Sequence, residues 1–70
     1  MKTVKIINKE NSINCPWMIH YTLLYKGREY TETLQGKHNN RYSINNIIEV
    51  DTFKDNNNKL NFIMKQIITA

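Results

Sequence analysis

The chain has 70 residues but only one cysteine, one proline and two glycines. With Cys15 alone, no disulfide can form within the chain, and a lone cysteine is more typical of a reducing compartment than of a secreted protein. Gly27 and Gly36 are too few and too far apart for a glycine-rich phosphate loop, and each fits a turn. These shortages argue against a disulfide-stapled secreted domain and against a P-loop.

Long hydrophobic runs are also lacking. A membrane-spanning helix needs about 20 mostly apolar residues, whereas the N-terminal apolar run, Val4 to Ile7, is short and interrupted by Lys5. The pattern predicts neither a signal peptide nor a membrane span. We therefore expect a cytoplasmic protein with no membrane partner.

Residues that could carry catalysis are sparse. One cysteine and two histidines, without Cys-x-x-Cys or His-x-x-x-His spacing, do not supply a metal site. On an extended strand, the spacing of Cys15 and His20 does not bring them together as a nucleophile and its base. Glu49 and Asp51 would share one strand face, where paired carboxylates are most often simply solvated. The sequence predicts a non-enzymatic protein without metal or cofactor.

Charge and composition point to a small binding protein. The net charge is +4, with basic and acidic residues interleaved along the chain, which mildly favours an anionic partner. Asn, Ile and Lys occur 11, 10 and 8 times, and all three have AT-rich codons. This bias is typical of low-GC bacteria and of their phages and plasmids, so we expect a phage-like or mobile-element protein. Its length predicts a single small domain over residues 1–70, and the strand patterns described next predict that this domain is β-rich.

The clearest structural pattern is a β-hairpin over Trp17 to Leu34 with Lys26-Gly27 at its tip. Pairing Tyr25 with Arg28 fixes the register, since every second residue of a strand shares a face. The face predicted to lie in the core comprises Trp17, Ile19, Tyr21, Leu23, Tyr25, Tyr30 and Leu34.

Further strands are predicted at Lys2–Asn8 and Leu60–Thr69, with turns at Lys9–Ser12 and Lys54–Lys59. Between them, Ser43–Asn46 is expected to form one short helical turn, near residues 43–47, that leads into a strand over Ile47–Phe53. The predicted fold is mainly β, with about five antiparallel strands in a meander or small barrel. The alternative is an α+β domain with a helix over 43–53 packed on the sheet.

The leading functional hypothesis is docking on a host protein, which is inhibited or modulated by occlusion. The other face of the hairpin carries Met18, His20 and Leu24, and the last strand carries Ile63 and Ile67 opposite its predicted core side. A chain this small cannot cover both faces of a sheet, and a surplus apolar surface usually marks a partner. Another protein is the expected partner, and pairing of two copies into a homodimer is the alternative. The predicted contact residues are Met18, His20, Leu24, Lys37, His38 and Arg41.

The alternative hypothesis is a nucleic-acid-binding module, in which cations contact phosphates and an aromatic ring stacks on a base. Against it, Tyr25 and Tyr30 fall on the predicted core face, and the cations alternate with acids. The candidate phosphate contacts are Lys26, Arg28, Lys37 and Arg41, and the candidate stacking rings are Tyr42 and Trp17.

Overall fold

The chain folds into one open antiparallel sheet of five strands in the order β3-β2-β1-β4-β5. The computed structural model describes residues 1–37 and 39–69. The strands are β1 (Lys2–Asn11), β2 (Met18–Tyr25), β3 (Arg28–Gln35), β4 (Ile47–Lys54) and β5 (Leu60–Thr69). The mainly β prediction is confirmed. The described residues contain no helix, so the α+β alternative with a helix over 43–53 is wrong. They accordingly include no helix that could cross a membrane.

The β2–β3 hairpin has the predicted register, from Ile19 opposite Leu34 to Tyr25 opposite Arg28. Its tip is a two-residue turn in which Lys26 and Gly27 have φ values of 50° and 78°. Positive φ at both positions defines a type I′ turn, whose twist matches that of the flanking strands. The alternating side chains and the turn therefore specify the same register.

Trp17 departs from the predicted core face. It precedes β2 in a turn that is closed by the Met18 N–H donating to the Cys15 carbonyl at 2.9 Å. Pro16 occupies the second position of this turn, where its fixed φ is favourable. The indole of Trp17 consequently lies 54% exposed, outside the core.

The path of β4 makes the sheet a Greek key and not a simple meander. After β3 the chain does not add a neighbouring strand, but returns through residues 36–46 and pairs with the free edge of β1. β1 is therefore shared: Lys2–Lys5 pair with β4, and Lys5–Asn11 pair with β2. A bulge between Ile6 and Asn8 accompanies this change of partner and bends the strand. Pairing with β2 also extends β1 to Asn11, through part of the predicted turn.

The predicted helical turn at Ser43–Asn46 is wrong, because these residues form a β-turn held against β1. The Asn46 N–H donates to the Ser43 carbonyl at 3.1 Å, and Asn45 has φ 78°, as a type II turn requires at its third position. Ile6 donates to the Asn46 carbonyl at 3.0 Å and accepts from the Asn45 N–H at 2.7 Å. These tertiary bonds replace the local ones of a helix. The predicted strand after the turn is confirmed and runs to Lys54.

With no second layer, the sheet buries its inner face by curling. Phe62 of β5 meets Tyr25 of β2 and Tyr30 of β3, with ring centroids 5.3 and 5.1 Å apart. The two ends of the strand order thus approach each other around one core. The buried core residues are Val4, Ile6, Ile19, Tyr21, Leu23, Tyr42, Ile48, Val50 and Phe62.

Tyr42, from the long connection, fills one end of the curled sheet. Its ring makes an edge-on contact with Tyr21 at 5.7 Å, and its hydroxyl donates to the Lys65 carbonyl, where β5 shifts register. The Tyr21 hydroxyl donates to the Asn39 carbonyl at 2.6 Å. Burial raises the pKa of both tyrosines, which keeps both hydroxyls protonated as donors.

We predict that Tyr42→Phe lowers the free energy of unfolding by about 1–3 kcal/mol, because the Lys65 carbonyl loses its donor in a partly buried site. Urea unfolding followed by circular dichroism measures this change. Tyr30→Phe is the matched control, since the structure gives its hydroxyl no hydrogen bond within the described residues. Equal losses in the two variants would contradict a specific role for the Tyr42 hydroxyl.

Candidate functional site

The two faces of the sheet carry charged side chains of different predominant sign. The inner face, shared with Val4 and Ile6, carries four cations and one acid, whereas the outer face carries two cations and four acids. Acids and bases that alternate along a strand point to opposite sides of a sheet, so the interleaving seen in the sequence becomes segregation in the fold. The inner residues are Lys2, Lys9, Arg28, Lys54 and Glu32; the outer ones are Lys5, Lys65, Glu10, Glu29, Glu49 and Asp51.

On the outer face, Glu49 and Asp51 lie side by side, but each has its own polar partner. The Lys65 ammonium lies 2.8 Å from the Asp51 carboxylate, which raises the pKa of Lys65. The Gln66 amide donates to Glu49 at 3.0 Å. Among the described residues, no group of three or more His, Cys, Asp or Glu side chains could hold a metal ion. The two carboxylates are therefore parts of surface polar pairs.

A cavity of about 390 Å³ opens on the inner face beside the tip of the β2–β3 hairpin. Two half-buried tyrosines, Tyr25 and Tyr30, form its aromatic wall, with the Phe62 ring packed against both. Three cations from two separate places in the chain, the start of β1 and the hairpin tip, also line it, and its lining contains no acidic side chain. The lining residues are Lys2, Tyr25, Lys26, Arg28, Tyr30, Thr52 and Leu60.

The cations of the cavity occupy defined positions. The Lys26 ammonium lies 5.3 Å from the centre of the Tyr25 ring. Lys2 donates to the Thr52 hydroxyl at 2.7 Å, which anchors it on the β1–β4 side. Arg28 pairs with Tyr25 at the start of β3. A recess with several positive charges and no acid in its lining raises the local concentration of anions.

Glu32, the acid at an inner strand position, lies outside this lining. It faces Phe62 and Lys59 across the gap between β3 and β5. Burial raises the pKa of the Glu32 carboxyl, and the Phe62 backbone N–H and the Lys59 ammonium oppose that rise. The cavity and the half-buried carboxylate are thus neighbouring but distinct features of the inner face.

The structure does not gather the predicted protein-contact residues into one patch. Met18, His20 and Leu24 share the outer face, but Met18 and Leu24 are six residues apart on β2, or roughly 20 Å. Leu24 is 37% exposed, and His20 Nδ1 lies 2.7 Å from the Thr33 hydroxyl. Lys37 and Arg41 are exposed in the connection between β3 and β4. His38 lies outside the described residues.

The predicted nucleic-acid contacts divide between the two ends of the hairpin. Lys26 and Arg28 lie at its tip, whereas Lys37 follows the far end of β3, roughly 25 Å away along the strand. The Arg41 guanidinium lies over Tyr42, 5.8 Å from the ring centre. Tyr42 is 2% exposed, so its ring is unavailable for stacking and the expectation placed on it is corrected.

The sequence reasoning missed the aromatic half of the cavity. Tyr25 and Tyr30 belong to the core face, as predicted, but they are only half-buried and line the opening. Lys2 was missed as well, although its alternation with Val4 and Ile6 already placed it on the inner face. Trp17, the other predicted stacking ring, lies at the opposite end of the hairpin, where its carbonyl accepts the Gly36 N–H.

Comparison of the chain with protein-family models, curated proteins and solved structures found no match. The functional assignment therefore rests on the residues themselves.

We predict that Glu32→Gln raises thermal stability at neutral pH. A raised carboxyl pKa means that the folded protein favours the protonated form, so this group's contribution to stability falls as the pH rises through the raised pKa. The neutral amide of Gln removes the free-energy cost of burying a charged carboxylate. The gain over the parent protein should shrink at acidic pH, where Glu32 is itself neutral.

Scanning calorimetry from acidic to neutral pH measures the effect of Glu32→Gln. Glu29→Gln, an exposed outer-face change on the same strand, is the control and should leave the pH dependence unaltered. A gain that is independent of pH would contradict the role assigned to burial of the Glu32 charge.

Proposed function

We propose that the protein is a non-enzymatic nucleic-acid-binding module that uses the basic cavity beside the hairpin tip. The observation that supports this best is the composition of the cavity: three cations and two tyrosines, with no acid in the lining. Cations neutralise phosphates and release their counterions, while aromatic rings contact bases. The nucleic-acid hypothesis of the sequence analysis thus gains support, with Lys26 and Arg28 retained from the predicted contacts and the other residues changed.

The distribution of charge outside the cavity also supports this function. Four acidic positions lie on the outer face, so a polyanion approaching the inner side avoids most of the repulsion. Five-stranded, partly open Greek-key barrels are one of the architectures that bind oligonucleotides. Architecture alone does not assign a function, and the residues of the cavity supply the chemical argument.

We expect Arg28→Gln to weaken oligonucleotide binding and to reduce the slope of log affinity against log salt by about 1, as loss of one phosphate contact should. Lys5→Gln is the matched control, because it removes the same charge from the exposed outer face. Fluorescence polarisation with labelled oligonucleotides at several salt concentrations measures both variants. Equal effects of the two changes would show that only net charge matters and would exclude the cavity as the site.

A second candidate function is occlusive docking on a host protein, the leading hypothesis of the sequence analysis, as expected for a phage-like inhibitor. It is favoured by half-exposed apolar side chains on the β4–β5 hairpin, a different set from the one predicted on β2. Phe53 and Ile63 occupy adjacent outer-face positions, 49% and 53% exposed. On the edge strand Ile67 and Ile68 are exposed as well, although Ile67 lies opposite the inner-face residue Ile48 and does not extend the outer face. Such a surface suits an apolar partner interface.

For this second function we expect Ile63→Lys to abolish capture of a partner from host lysate at high salt, because a charge would be buried at the contact. Leu24→Lys tests the β2 half of the same face. Asn57→Lys, in the exposed β4–β5 turn, controls for the added charge. Capture that survives both outer-face changes would exclude this face as the docking surface.

A further inference from the structure

We infer that the cavity receives one unpaired base of a single-stranded nucleic acid, with the flanking phosphates held by Lys2 and Arg28. This inference rests on the proposed nucleic-acid function and narrows it to a strand type and a mode of contact. It is carried by the geometry of the tyrosines and of the cations around them.

The tyrosine rings are arranged edge-on, which leaves ring surface for a further partner. Tyr25 and Tyr30 lie 6.4 Å apart at 62°, and they meet Phe62 at 78° and 61°. None of these three contacts is a parallel stack, and an edge-on contact covers a face of only one of its two rings, so ring faces remain for a further partner. Both tyrosines line the opening, where a flat ring entering from solvent can reach them.

The shape of the cavity also bears on which nucleic acid it accepts, a single strand or a duplex. Its volume of about 390 Å³ is in the range of small-ligand pockets, and it is a recess in the inner face. In a duplex the bases are stacked and paired inside the helix, and taking one out requires unstacking. A single strand presents its bases without that cost, so the recess favours single strands.

The cations are placed to hold the backbone on both sides of an inserted base. Lys2 is anchored by Thr52 on the β1–β4 side, and Arg28 stands at the start of β3. These positions are on opposite sides of Tyr25, since Tyr25 belongs to β2, which lies between β3 with Arg28 and β1 with Lys2. A backbone that crosses the cavity therefore meets a positive charge before and after the base.

Lys26 occupies the place of the base in the free protein. Its ammonium lies 5.3 Å from the centre of the Tyr25 ring, and its long side chain starts from the exposed turn. Because a cation–π contact at an exposed site is weak, a phosphate that accepts hydrogen bonds from this ammonium can displace it from the ring. Strand binding thus uncovers the ring face on which the base stacks.

The test compares three labelled probes of equal phosphate number: oligothymidylate, an abasic deoxyribose-phosphate strand, and a duplex. We expect oligothymidylate to bind on the order of tenfold more tightly than the abasic strand, as one stacked base contributes, and more tightly than the duplex. Tyr25→Leu should lower the affinity for oligothymidylate to that for the abasic strand and leave the abasic affinity unchanged. Tyr25→Phe, which keeps a ring, should retain the preference, and circular dichroism checks that both variants fold.

The outcomes separate this inference from the function on which it rests. If the abasic strand or the duplex binds as tightly as oligothymidylate, base insertion is wrong, while binding through phosphates stands. Loss of abasic affinity in Tyr25→Leu would also overturn the inference, since the ring would then act through the fold. If none of the three probes binds, the proposed nucleic-acid function itself is wrong.

Discussion

Burial of a single sheet face without a second layer is the constraint on which this structure depends. The described residues provide neither a helix nor a second sheet to cover the core, so the sheet must supply its own cover by curling. The bulge in β1 and the twist natural to strands allow that curl. Aromatic side chains then complete it, since Phe62 of β5 meets Tyr25 of β2 and Tyr30 of β3.

The two ends of the curled sheet are completed differently, and this difference creates the site. At one end Tyr42 enters from the long connection and is fully packed, with its hydroxyl donating to β5. At the other end Tyr25 and Tyr30 meet Phe62 but stay half-buried, and no further segment closes over them among the described residues. The cations of β1 and the hairpin tip surround this opening. The candidate site is the end of the core that the chain leaves uncovered.

The hairpin was predicted well because residues close together in the sequence determine its register. Strict alternation and a Gly at the turn specify the β2–β3 register, and the Asp55 turn follows from its own side chain. Asp55 accepts the Lys59 backbone N–H at 3.0 Å, the Asn61 side-chain amide at 3.2 Å and the Asn57 backbone N–H at 2.9 Å, which lowers the pKa of its carboxyl. The Ser43–Asn46 segment was mispredicted because its decisive hydrogen bonds go to Ile6, more than 35 residues earlier in the chain.

The sequence by itself determined the strand content, the hairpin register and which residues alternate into the core. Those properties depend on neighbours within a few residues, through side-chain period and turn geometry. Only the tertiary structure decided that β4 pairs with β1, that Tyr42 closes the core while Tyr25 and Tyr30 remain open, and that Lys2 joins Lys26 and Arg28. The physical reason is that a curling sheet brings together strands far apart in sequence and turns alternating charge into two faces of opposite sign.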